Sequence, residues 1–366
     1  MIVRVVGNYF GSSGYAAHVR GLCKGLSSNG VELAVTSPLP SLWEKHVSTE
    51  EMRWLRKEPN KEETVIHVGT PPSWRFVLAG RPKRFIGFLV WEGSHIPRAW
   101  LDYINHERVE QVWVPSKHVA DAINATANKY SILVKPSVSV VPHGFDPAVF
   151  HPLRKPSDRP FTFMASKGWV HPTEDRGGLQ YALKAFNEEF GAEENVRFIV
   201  KVNPAYLQGS EQDGWIASML AAAGVTEKKA PILVTLSDMP EDGLSSFYAD
   251  GDVFVCSTRC EGFNLPGLEA HACGLPTIQT SYGGQVDYMS PDSDWFVGYT
   301  LAPVVHDVMY EEALWATPDI ADLRRCMREA FSNRSLVSKK SAAALKSVSS
   351  WTWADTGLKA KELLGK

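Results

Sequence analysis

The sequence predicts an α/β protein made of two doubly wound, Rossmann-like units in series, and three observations carry that reading. Residues 2–6 are a β-branched run, residues 7–14 a glycine-rich loop, and residues 15–26 an apolar-periodic stretch closed by Asn29-Gly30. Short apolar runs then alternate with helical stretches, the pattern of a parallel sheet covered on both faces. A segment rich in proline and charge, residues 142–160, interrupts this rhythm before a second cycle begins. At 366 residues the chain suits about two domains.

In the first cycle, residues 31–36 complete a strand, loop, helix, strand order, and 65–68, 84–90, 111–114 and 138–141 read as further strands. In the second, 161–165, 196–202, 232–236, 253–257, 276–280 and 295–297 are strand-like, with helical segments at 178–190, 214–223, 244–248 and 266–273. The amphipathic stretches 319–331 and 354–364 have no strand after them and should pack on existing surfaces. The expected boundaries are 1–155 for the first domain, 156–345 for the second and 346–366 for a last helical segment.

Hydrophobic residues make up 44% and charged residues 22%, which excludes disorder, collagen and coiled coil for most of the length. No apolar run approaches the roughly 18 to 20 residues of a membrane span. The N-terminus lacks the basic, apolar and small-residue regions of a signal peptide, so a cytoplasmic location is expected. Five cysteines, Cys23, Cys256, Cys260, Cys273 and Cys326, form no metal-type cluster and fit reduced thiols. Net charge is -3, but residues 1–157 hold 19 Lys+Arg against 13 Asp+Glu, or +6, and residues 158–366 hold 19 against 28, or -9. The surplus gathers at Arg53, Arg56, Lys57 and at Arg81, Lys83, Arg84, and would attract an anionic acceptor, nucleic acid or an acidic membrane surface. The same residues beside Glu50, Glu51, Glu62 and Glu63 also read as an ordinary solvated face.

The densest chemical signal runs from Cys260 to Pro276. Asn264 suits a cap, Pro266 an early helical position, and Gly274 with Pro276 a stop, so a short helix should run from Leu265 to about Cys273. Its start follows the apolar run 253–255, at a strand's carboxyl end. Main-chain N–H groups of Gly262, Phe263, Asn264 and Leu265, with the helix dipole, can hold a diphosphate there without a metal. Glu269 can accept hydrogen bonds from sugar hydroxyls and Glu261 can face a second sugar ring; equally, Glu269 favours the helix start electrostatically and Glu261 is solvated. Lys167 and Arg176 flank a loop before Gly177-Gly178, where two cations can neutralise a departing phosphate. Read alone, such a loop is ordinary surface.

Other patterns carry less. The loop through Ser13 and Gly14 allows close backbone approach to an anion, but lacks G-x-G-x-x-G spacing, and no acid clearly ends the second strand, so the dinucleotide fingerprint is not met and a dehydrogenase drops in rank. Asp250-Gly251-Asp252 and Asp292-Ser293-Asp294 read as turns, and no metal site is expected. His95 follows a strand's carboxyl end, where doubly wound folds place function, and reads equally as structural. Most of the twelve tryptophans should be core residues.

Together, Tyr248 to Ser257, Glu261-Gly262-Phe263-Asn264-Leu265-Pro266, Glu269-Ala270, Cys273-Gly274-Leu275-Pro276 and Gly283-Gly284 resemble the nucleotide-sugar half of glycosyltransferase family 4. The resemblance extends in order to the Ser13-Gly14 loop, Val112 to Ser116, Val141 to Asp146, Phe150 to Pro152, the Lys167/Arg176 region and Trp351 to Asp355. It implies the GT-B fold: two facing Rossmann-like domains, with a C-terminal helix crossing back to the first. It also implies transfer of a sugar from a nucleotide diphosphate sugar to an acceptor hydroxyl, with retention, without an essential metal and with no further cofactor. By the match, Glu261 contacts the donor sugar, Glu269 the ribose, Lys167 and Arg176 the diphosphate, Ser13 and Gly14 the phosphate or acceptor, and Met239 neighbours the base. Two departures stand out. Members often carry arginine then lysine where this chain has Lys167 then Arg176, and many place a histidine directly after the strand ending here at Trp91-Glu92, several residues before His95. A sugar-nucleotide epimerase and a non-catalytic sugar-nucleotide-binding protein share this plan; acceptor-dependent release of nucleoside diphosphate separates all three.

Overall fold

A computed structural model describes residues 2–38, 47–58, 64–153, 158–171, 173–204, 212–225, 227, 229–239, 241–305 and 307–365. The first unit contains β1 (Ile2–Val6), α1 (Gly14–Ser28), β2 (Glu32–Thr36), α2 (Thr49–Leu55), β3 (Thr64–Val68), α3 (Pro71–Leu78), β4 (Arg84–Phe88), α4 (Trp100–Ile104), β5 (Val109–Val114), α5 (Lys117–Lys129) and β6 (Ser137–Val140). Among the described residues its strands run in the order β2-β1-β3-β4-β5-β6, all parallel. Parallel strands need crossover helices, and these bury both faces of the sheet. Val3 and Val5 meet Val19, Leu22 and Leu26 of α1 on one face, while Val65 and Val112 meet Trp74, Leu101 and Ile123 on the other.

The second unit contains β7 (Phe161–Ser166), α6 (Leu179–Glu189), β8 (Val196–Val202), α7 (Gln212–Ala222), β9 (Ile232–Leu236), α8 (Glu241–Ala249), β10 (Val253–Cys256), α9 (Leu265–Ala272), β11 (Thr277–Thr280), β12 (Asp294–Val297), β13 (Tyr299–Pro303), β14 (Leu314–Pro318), α10 (Ile320–Ser332) and α11 (Arg334–Ser347). The parallel order β12-β11-β10-β7-β8-β9 brings β7 and β10 together in the middle. The change of direction between their crossovers is where doubly wound sheets open at their carboxyl ends. A core of Phe163, Phe186, Phe190, Phe198, Val255 and Leu323 fills the face under α6, α7 and α10. β13 and β14 pair as a separate two-stranded sheet, and neither they nor α11 has a counterpart in the sequence reading.

The units divide at places that differ from the expected boundaries. The first takes 1–146, 306–314 and 350–366, and the second 147–305 and 315–349. The break falls at Asp146 because Phe145 is tied to the C-terminal segment: its N–H donates to Trp351 O at 3.0 Å, and Trp353 N–H donates to its carbonyl at 3.1 Å. Beyond it, Phe150 packs on Tyr248, 6.2 Å between rings. Residues 307–314 join the first unit through Tyr310, stacked on Trp91 at 4.4 Å with its hydroxyl donating to Glu92 at 2.9 Å, and through Glu312, which takes Lys129 Nζ at 2.7 Å.

The last helix, α12 (Trp353–Leu364), starts with a capping box between Thr352 and Asp355 and lies along α1. The two backbones touch at glycines: a Cβ on Gly25 would lie 1.9 Å from Trp353 O, and one on Gly357 2.0 Å from Gly25 C. Gly25→Ala therefore has to push α12 away, at a cost of about 1–3 kcal/mol. The expected result is a lowered Tm; a Tm equal to wild type contradicts this docking.

Candidate active site

The four residues Lys167, Arg176, Glu261 and Asn264 come from two loops at the carboxyl ends of β7 and β10. Lys167 directly follows β7, and its ammonium donates to Glu261 Oε1 at 3.0 Å and to Asn264 Oδ1 at 2.7 Å. Arg176 Nη1 donates to Glu261 Oε2 at 3.1 Å and to Cys260 O at 2.9 Å. Thr258 Oγ1 lies 3.2 Å from Glu261 Oε1 and shares its one proton between that oxygen and Arg176 O. Burial alone would raise the carboxyl's pKa, but Lys167 and Arg176 outweigh it and hold it down to about 2. Lys167, 5% exposed, stays charged for the same reason. Two cations share one carboxylate.

The loop carrying Arg176 is shaped by Asp175, which sequence reasoning missed. Asp175 is buried, and its carboxylate accepts the N–H groups of Val170 at 2.6 Å, His171 at 3.2 Å and Gly177 at 2.7 Å. An aspartate ahead of Arg-Gly-Gly is the available signal, since Asp folds a turn onto its own side chain. The loop is then sewn to residues 257–259: Arg176 O accepts Arg259 N–H at 2.9 Å and Thr258 Oγ1–H at 3.1 Å, and Ser257 Oγ donates to Gly178 O at 2.7 Å. Gly178 has φ +73, and a Cβ there would sit 1.8 Å from Ser257 O, so only glycine fits. The Arg259 side chain, also missed, spans Glu174 Oε2 at 2.5 Å and Ala316 O at 3.1 Å.

The helix expected at 265–273 is α9, and its start differs from the expectation in one respect. Asn264 is at the N-cap position, yet its side chain makes no cap hydrogen bond, and its backbone is left-handed, φ +74 and ψ 67. The amide turns inward instead: Nδ2 donates to Gln279 Oε1 at 2.8 Å and Cys256 Sγ at 3.2 Å, while Tyr288 OH donates to Asn264 O at 2.9 Å. A non-glycine residue held at positive φ by surrounding bonds is a sign of function rather than of economy. Gly262, Phe263 and Leu265 are buried around it. Further along α9, half-buried Glu269 accepts Tyr248 OH at 2.9 Å through Oε2. Met239 is half-buried in the loop between β9 and α8.

Ser13, Gly14 and His95 belong to the first unit. Ser13 caps α1, its hydroxyl accepting Ala16 N–H at 3.2 Å, and Gly14 begins that helix with no heavy atom within 4 Å of an added Cβ. His95 Nδ1 meets Ser94 Oγ at 2.9 Å and its carbonyl accepts Trp91 Nε1–H at 2.8 Å. Burial and Lys129 lower its pKa, against Glu312. In the two D-x-D triplets, Asp252 takes Arg159 in a two-pronged bond at 2.8 and 2.9 Å, and buried Asp294 accepts His271 Nε2, Gln279 Nε2 and Ser290 N–H. Both carboxylates are structural.

Known proteins are similar to this chain in sequence and in fold. A family model described as glycosyl transferases group 1 matches residues 169–303, the stretch that holds Arg176, Glu261, Asn264 and Glu269. The Escherichia coli serotype-specific mannosyltransferase WbdA is 23% identical over 197 residues, 54% of this chain, so the chain spans about a fifth (21%) of that relative's length. A sucrose-phosphate synthase from Thermosynechococcus elongatus superposes with a TM-score of 0.71 over 100% of this chain and 98% of its own, at 13% identity. Anabaena HepE, solved with UDP and glucose, does so at 0.65 over 100% and 99%, also at 13%. The chain as a whole has the GT-B glycosyltransferase fold.

The Glu261 group has a pH signature. A carboxyl held below its unfolded value stabilises the fold above about 4.5, and that stability is lost as pH falls toward about 2. Glu261→Gln should flatten the dependence of unfolding free energy on pH across this window. A variant that loses stability as steeply as wild type on acidification contradicts the pairing. Lys167→Met, which leaves Glu261 with Arg176 alone, should cost about 1–3 kcal/mol in a denaturant titration.

Proposed function

We propose that this chain moves a sugar from a nucleotide diphosphate sugar to an acceptor hydroxyl, with retention of anomeric configuration and with no need of a metal ion or further cofactor. The observation that carries the reading is the cluster before α9: Lys167 and Arg176 are both held on Glu261, beside a helix start whose N-cap residue, Asn264, makes no side-chain cap. A departing nucleoside diphosphate gains negative charge as the glycosidic bond lengthens, and donors already fixed at that point lower the barrier. Fixed cations there do the work that a divalent ion does in other transferases. Glu261 would also face the donor sugar, and Glu269, oriented by Tyr248, would accept ribose hydroxyls. Retention follows the family that the motifs resemble.

The acceptor is assigned to the first unit, where Gly14 leaves open space at the start of α1 and His95 stands after β4. That part of the chain carries the positive surplus, which suits an anionic acceptor. Several of its cations already have carboxylate partners, Lys57 with Glu32 and Arg84 with Glu110 and also Lys24, Arg98, Arg108, Lys117 and Lys129, so any such attraction has to rest on the others. WbdA is a mannosyltransferase and the HepE structure holds UDP and glucose, so mannosyl and glucosyl donors head the panel to be tried.

The test is acceptor-dependent release of nucleoside diphosphate from a donor panel, run with and without EDTA. Activity is expected to survive EDTA. Glu269→Ala is expected to weaken donor binding about tenfold. Lys167→Ala or Arg176→Ala should lower kcat by roughly 10² to 10³. Wild-type rates in all three variants, or activity abolished by EDTA, would overturn the reading.

A further inference from the structure

Lys201 has no part in the site as described so far, and its placement asks for one. It lies at the carboxyl end of β8, level with Ser166 of β7 and Thr235 of β9. Val200 and Val202 enter the core beneath α6 and α7, so strand alternation turns Lys201 to the opposite face, where Phe254 of β10 meets Tyr248 of α8. Lys201 is only 7% exposed, and its ammonium makes no hydrogen bond and no ion pair with any described residue. A lysine is rarely this buried unless it is paired. Burial lowers its pKa, and the carboxylates of Asp238 and Glu269 act against that shift.

Those two carboxylates locate it. Lys167 and Arg176 gather on Glu261 at one end of the site, whereas the face that Lys201 enters carries Tyr248, bonded to Glu269 of α9 at 2.9 Å, and Asn203, two residues on from Lys201, donates to Asp238, the residue before Met239, at 3.3 Å. With the diphosphate at the first end, Lys201 is at the nucleoside end, on the side where the loop after β9 would meet the base. An ammonium has three donors and no acceptor. It therefore rewards a base edge that offers an oxo group, such as uracil or guanine, whereas on adenine each ring-nitrogen acceptor next to the exocyclic amino group is flanked by a donor that the ammonium repels.

We propose that Lys201 reads the base of the donor, donating a hydrogen bond to an oxo group on its edge and so selecting uridine or guanosine diphosphate sugars over adenosine ones. This rests on the reading of Glu269 as the ribose carboxylate. The test is calorimetric titration of the full chain with UDP, GDP and ADP, for wild type, Lys201→Met and Lys201→Gln. Wild type should bind UDP or GDP about tenfold or more tighter than ADP. Lys201→Met should lose that margin while keeping its ADP affinity and its Tm, and Lys201→Gln, which adds an acceptor, should narrow the margin by gaining affinity for ADP. A preference that persists in Lys201→Met, an equal loss for all three nucleotides, or a wild type blind to the base would overturn this inference and leave the transferase reading standing. If wild type binds no nucleotide, the transferase reading falls and this inference with it.

Discussion

The candidate site depends on one electrostatic arrangement, a carboxylate that two cations hold in common. Glu261 is ionised because Lys167 and Arg176 flank it, and each cation is fixed in place because Glu261 is there. Each of the three alone would face a desolvation cost at this depth; together they offset one another's cost. Such a group is already organised before any ligand arrives, so little reorganisation remains when charge develops on a leaving phosphate.

The surrounding bonds serve that arrangement. Asp175 folds the Arg176 loop onto itself, Ser257, Thr258 and Arg259 tie it to the strand end of β10, and Asn264 spends its side chain on Lys167 and Gln279 rather than on its own helix. The left-handed backbone at Asn264 costs energy that an ordinary cap would have spared. It is kept because the same residue closes the Lys167 cage and leaves the first turn of α9 without a side-chain cap. In the first unit the corresponding glycine loop meets an ordinary cap, Ser13, so the two helix starts are built differently.

Much of this was legible in the sequence, and the limits have physical reasons. The order of strands and helices follows from short apolar runs punctuated by glycine and proline, which are local signals. α9 was readable for the same reason, from Asn264, Pro266, Gly274 and Pro276. The conformation of Asn264 was not, because its partners Lys167 and Gln279 are set by tertiary pairing and not by neighbours in sequence. Arg259 looked like any loop arginine until Glu174 and Ala316 were placed beside it. β13 escaped notice because it is largely exposed and shows no apolar alternation, and the return of 307–314 to the first unit rests on Tyr310 and Glu312, whose partners lie some 180 to 220 residues away.

Under the proposed function Lys167 and Arg176 grip a diphosphate, so their effect should follow the phosphates of the ligand. The most direct measurement compares the affinity of wild type and Arg176→Met for a nucleoside diphosphate and for the nucleoside alone. The account predicts that the variant loses affinity for the diphosphate while its affinity for the nucleoside is unchanged. Equal losses for both ligands, or no loss for either, would contradict it.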